Sequence, residues 1–165
     1  MNTVFLVSLG LAAAGQASGA TLPARAPGLW KSVTTVTGPD GQPLPNAANV
    51  VTISCVDPAT DIKFFISGGS ACSSLRISGS GTTYAIDGTC TQLGKPVSIH
   101  ETLVYADARN VTLKAKMDSS AGLVNVTSQL QWQGDCLAGM APGDEGSIVN
   151  GAFSKADNIN DSANQ

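Results

Sequence analysis

The residues of this chain with the most chemical potential are His100, Glu101 and the four cysteines Cys55, Cys72, Cys90 and Cys136. His100 is the only histidine, so a Ser-His-Asp arrangement would have to use it as its base. No G-x-S-x-G elbow accompanies it, and a histidine-based metal site lacks a second histidine. Val97, Ile99, Glu101, Leu103 and Tyr105 alternate along one face of a strand-like segment. His100 falls on the opposite, solvated face beside Ser98 and Thr102. Glu101 shares the apolar face, where a carboxylate is costly unless it is paired. A bulge or strand end could turn it out. Alternatively it stands at the mouth of an apolar pocket and orients a ligand, with Tyr105 on the same face. Glu101 and Tyr105 are therefore the candidate ligand-binding residues. A lone carboxylate does not make a glycosidase-type acid pair. No catalytic residue, metal site or cofactor is indicated.

The cysteines read as structural. No C-x-x-C pair is present, which disfavours both a zinc knuckle and a redox-active dithiol. Four cysteines allow three pairings. If a hairpin turns at Ser80-Gly81, Cys72 falls close to Thr89 and Cys90, which favours Cys72–Cys90 and leaves Cys55–Cys136.

Disulfides require an oxidising compartment, and the N-terminus supplies a route to one. Met1 to Ala20 carries an apolar run from Val4 to Ala14 followed by small residues. Ser18 and Ala20 fit the small-x-small rule for cleavage before Thr21, with Gly15 and Ala17 as an earlier alternative. The run is too short to span a bilayer. Residues 1–20 are thus expected to be a signal peptide and the product periplasmic or secreted, although no Lys or Arg precedes the run.

About 145 residues remain, enough for one domain with a real core. Nine basic against twelve acidic residues give a net charge of −3, which argues against nucleic acid as a partner. Charged residues are only 13%, and Ser, Thr, Asn and Gln carry the polarity instead.

The elements that must position these residues are mostly strands. Leu29–Thr37 and Val50–Val56 flank a Pro/Gly loop, Gly38 to Asn46. Asp57-Pro58 has the form of an N-cap followed by proline, predicting a short helix over Ala59–Ile66 that ends at Gly68-Gly69. Ser74–Ser78, Thr82–Cys90, Val97–Tyr105, Val111–Met117 and Leu123–Gln133 then alternate with turns between them. The prediction is an all-β domain with one short helix. About seven strands form an antiparallel meander, curled into a strongly curved sheet or incomplete barrel so that its apolar face is covered. That single domain covers 21–136, and 137–165 is expected to be a poorly ordered tail. Trp30 and Trp132 are expected to pack where the sheet ends meet. The sequons at Asn110, Asn125 and Asn160 would matter in a eukaryotic secretory route, and in a bacterium read as chance matches in a Thr- and Ser-rich chain.

Pro27-Gly28-Leu29-Trp30 opens the domain. Cys55 with Asp57-Pro58, then Cys72 and Cys90, then Gly134-Asp135-Cys136 running to Gly139 and Pro142-Gly143 follow in order. This set resembles the exported bacterial family catalogued as domain of unknown function 3617, over roughly Pro27 to Gly143. The resemblance implies a β-rich, disulfide-bonded, mostly Gram-negative envelope protein and implies no activity. The chain departs from it in being poor in Met and Lys along its late strands.

Three function classes follow, in order of preference. The first is a non-enzymatic, monomeric envelope protein whose curved inner face binds an apolar or amphipathic ligand or an envelope partner. The second is a hydrolase using Glu101 or His100. The third is a structural or interaction module acting through exposed strand edges.

Overall fold

The computed structural model describes residues 19–66, 71–92, 94–119 and 122–161. The expected signal peptide up to residue 18, and the Gly68-Gly69 stop, lie outside the described residues. Among the described residues nine strands form one antiparallel sheet: β1 (Gly28–Thr37), β2 (Val50–Val56), β3 (Ala71–Ser80), β4 (Thr83–Gln92), β5 (Lys95–Asp107), β6 (Asn110–Ser119), β7 (Gly122–Gly134), β8 (Asp144–Val149) and β9 (Ala152–Asn158). Their spatial order is β3-β4-β5-β6-β7-β1-β2-β8-β9, and no pairing joins β3 to β9, so the sheet is not closed.

The first seven strands coincide with the alternating segments of the sequence. The additional two come from residues 137–165, where a poorly ordered tail was expected. They form a hairpin, β8–β9, turned at Asn150-Gly151, whose φ values are 52° and 80°. Both central residues in the left-handed region is the hairpin-turn pattern that Asn-Gly favours. The strands hold through polar contacts: Lys155 Nζ lies 2.7 Å from Asp144 Oδ1, and Asn158 Nδ2 donates to the same oxygen at 2.7 Å. Gly146 passes so close to the Ser154 carbonyl that a Cβ would not fit.

The helix is shorter than expected. α1 spans Lys63–Ile66. The Asp57 cap is present, with Oδ1 accepting from Thr60 N at 2.8 Å and Ala59 N at 3.1 Å. Residues 58–62 instead form turns closed by a mixture of bonds, three residues back from Lys63 N to Thr60 O and four back from Asp61 N to Asp57 O.

The lining of one cavity shows that the sheet curls. Leu113 of β6 and Glu145 of β8 border the same space of about 200 Å³. Three strands intervene between β6 and β8, so in a flat sheet the two would lie about 19 Å apart. The strands therefore curve around a hollow, into which Phe65 of α1 packs with Trp30, Val56, Ile86, Leu103 and Leu130.

Disulfides join Cys72 to Cys90, which are direct cross-strand neighbours, and Cys55 to Cys136, which ties β2 to the chain leaving β7.

Candidate functional site

The hollow is organised by the segment entering β1. Ala26 and Pro27 present successive carbonyls: Trp30 Nε1 donates to Ala26 O at 2.8 Å and Trp132 Nε1 to Pro27 O at 2.9 Å. Gly28, at φ 128°, lies against the Gly134 carbonyl and Trp132 Nε1, where no side chain fits. The Pro-Gly-x-Trp sequence is thereby a device for seating two indoles. The tryptophans are register neighbours on β1 and β7. They sit in mid-sheet rather than where sheet ends meet, because β2, β8 and β9 continue beyond β1.

Arg25 lies over this corner. Its side chain is 1% exposed, and its guanidinium carbon stands 4.8 Å from the Trp30 ring centroid and 4.4 Å from that of Phe65. Nε donates to Asp61 Oδ1 at 2.6 Å, and the Arg25 amide donates to Asp61 Oδ2 at 2.9 Å. Burial draws the guanidinium below its ordinary range, against the opposing pull of Asp61. The pair clamps the entering segment to the turn before α1.

Beneath α1 lies a cavity of about 200 Å³. Its roof is the Phe64 and Phe65 pair of α1, and its floor is the inner face of the sheet. On that floor the hydroxyls of Ser128, Thr34, Ser32, Thr52 and Ser54, from β7, β1 and β2, are interspersed with Leu113, Val126 and Leu130. Register explains their convergence: Ser128 faces Thr34, and Ser32 faces Thr52. Thr34 and Ser128 hydroxyls bond to one another at 2.8 Å. Arg25 borders one side and Glu145 of β8 another. Burial, then Asp157, pushes the Glu145 carboxyl above its ordinary value. A second, more apolar cavity of about 350 Å³ lies past Phe65, against Leu22, Ile62, Ile77 and Asp61. Ala20 and Thr21, which flank the expected cleavage point, line it.

A model of the family described as protein of unknown function (DUF3617) matches residues 25–136. The chain belongs to this family. The match runs from Arg25 to Cys136, so the DUF3617 segment contains the Trp corner, the ion pair's arginine and the hydroxyl field. It stops before the hairpin that carries Glu145. No curated protein and no solved structure matches the chain.

The residues singled out in the sequence occupy other places in this DUF3617 domain. Glu101 points into the hollow from mid-strand, between Ile86 and Ala115. Pairing is continuous through it, and the irregularity of β5 lies at Tyr105/Asp107 instead, so no bulge turns it out. Its Oε2 is buried without a hydrogen-bond partner among the described residues, and burial raises the carboxyl to about 7. Tyr105 is 4% exposed with an unpartnered hydroxyl, its ring edge-on to Tyr84 at 5.9 Å. Burial, then Asp61, pushes its phenol up to about 12. Leu103 separates the two on one face, placing them about 13 Å apart along the strand. Neither lines the cavity beneath α1. His100 is exposed on the outer face with Nδ1 2.5 Å from Asp87 Oδ1. As consecutive residues of β5, His100 and Glu101 face opposite sides of the sheet. The hydroxyl field and Glu145 went unread because Ser and Thr on a strand resemble a solvated face, and Glu145 sits in the supposed tail.

Proposed function

We propose that this DUF3617 protein is an exported, non-enzymatic binding domain that holds a small amphipathic molecule on its concave face beneath α1. The observation that carries the reading is the mixed lining of the inner cavity, where a converging set of hydroxyls is set among aliphatic side chains on the sheet beneath the Phe64 and Phe65 rings of α1. A few placed polar groups on an apolar background is the usual make-up of a small-molecule site. Size restricts the ligand. About 200 Å³ is below the roughly 300–1,000 Å³ of pockets for drug-sized ligands, so a whole lipid does not fit. The larger apolar cavity is a weaker candidate, because cleavage before Thr21 removes Ala20 from its wall. Export is supported by the leader-like first twenty residues and by two disulfides, which are stable outside the cytoplasm.

Native mass spectrometry of the protein isolated from the periplasm of its host tests the reading. The expected result is a mature, fully oxidised chain carrying a small adduct that Ser32→Phe, which fills the cavity, removes. An adduct retained equally by Ser32→Phe would overturn it.

A further inference from the structure

One cross-strand row borders the cavity and is electrically lopsided. Trp132, Trp30, Ser54, Glu145 and Asp157 are successive register partners on β7, β1, β2, β8 and β9. At the Trp30 end the charge is balanced, since Arg25 is bonded to Asp61 through both side chain and backbone. Two strand spacings away, about 10 Å, Glu145 has no ion-pair partner among the described residues. The neighbouring base, Lys155 of β9, is bonded to Asp144 instead. Opposite Glu145 stands a second carboxylate, Asp157, and like charges directly opposite each other are destabilising. Glu145 thus borders a partly buried, hydroxyl-lined slot facing the Phe64 and Phe65 rings.

We propose that the slot takes a small amphipathic organic cation. Its ammonium is held by Glu145 with the Ser54 and Thr52 hydroxyls as further acceptors, and its short apolar body lies along Phe64, Phe65 and Leu130. This inference rests on the binding reading above and adds the sign of the ligand's charge. An ammonium has three donors and no acceptor, which matches a carboxylate flanked by hydroxyl oxygens. The rise that burial and Asp157 impose on Glu145 is relieved when an opposite charge arrives.

Three probes of one shape separate the possibilities: 2-phenylethylammonium, 2-phenylethanol and 3-phenylpropanoate, titrated into the oxidised full-length mature protein by NMR. The expected result is that the ammonium binds at least tenfold more tightly than the alcohol and that the carboxylate does not bind. Glu145→Gln should reduce that preference to within about twofold. In the wild type the preference should fade as acid protonates Glu145, a readout that needs no variant. Equal binding of ammonium and alcohol, or a preference that survives both Glu145→Gln and acidification, overturns the cationic ligand while the cavity reading stands. If no probe binds, or if Ser32→Phe leaves binding of all of them unchanged, the cavity reading falls and this inference with it.

Discussion

Glu101→Gln isolates the cost of one buried carboxyl. Glu101 lies between Ile86 and Ala115, and no hydrogen bond among the described residues offsets the hydration its Oε2 loses when the group ionises. Its folded pKa of about 7 stands above the ordinary 4.5. At about 1.4 kcal/mol per pKa unit, this difference is worth up to about 3 kcal/mol. The direction follows from proton counting. Between 4.5 and about 7 the unfolded chain has released the proton and the folded chain still holds it. Stability therefore falls as pH rises through that window. Below it, wild type and Glu101→Gln both carry a neutral, unpartnered polar group and should unfold alike. Above it, the glutamine variant escapes the ionisation cost and should be more stable by about 2–3 kcal/mol. Urea unfolding with the disulfides intact, from pH 4 to pH 8.5, measures the gap. Glu145 is also raised by burial and drifts in the same direction, but it does so in both proteins and cancels in the difference. A gap independent of pH, or one that closes as pH rises, would refute the claim that this side chain ionises inside the hollow.

The two disulfides should differ in worth. Their separations of 81 and 18 residues correspond to about 4.5 and about 3 kcal/mol of loop entropy; paired serine replacements measured in urea should therefore rank Cys55–Cys136 above Cys72–Cys90. Gly28→Ala, which puts a Cβ against the Gly134 carbonyl at φ 128°, should cost about 2–4 kcal/mol and alter the near-UV signal of the tryptophans. Arg25→Met leaves Asp61 buried without its partner and should cost about 3–5 kcal/mol, whereas Arg25→Met with Asp61→Leu should recover most of that loss by thermal unfolding. Gly151→Val, at φ 80°, should raise hydrogen exchange in β8 and β9 and weaken 2-phenylethylammonium binding. It should leave exchange in β5 and β6 unchanged, because among the described residues β8 pairs with β2 just at Ile53 and Ser54.

The meander was legible because physics writes it plainly. On β5 and β6 every second residue except Glu101 is apolar and packs inward, while Thr, Lys, Ser and His100 lie on the other side, so alternation marks both the strand and its face. The β8–β9 hairpin lacks that contrast. Ile148 and Val149 are about half exposed, at 47% and 52%, and what holds the strands together is a lysine, an asparagine and a close glycine contact. Composition alone reads such a segment as a tail. The one local signal was Asn150-Gly151, whose backbone tolerance suits a tight hairpin.

The candidate site was less legible than the fold for a related reason. A buried apolar residue announces itself by type, whereas Ser32, Thr34, Thr52 and Ser54 have the same types whether they face water or a cavity. Which of the two holds depends on β7 pairing with β1 and on α1 covering the hollow. Both are long-range facts set by register rather than by local pattern. Glu101 drew attention because it broke an apolar row, and it does enter the hollow, yet it lies away from the hydroxyl-lined cavity. Glu145 breaks no row, and its consequence arises only when β8 docks beside Ser54. In a curved sheet, polarity that interrupts a pattern marks a cost to folding. Polarity that converges across several strands marks a place for a ligand, and only the pairing of those strands makes the convergence visible.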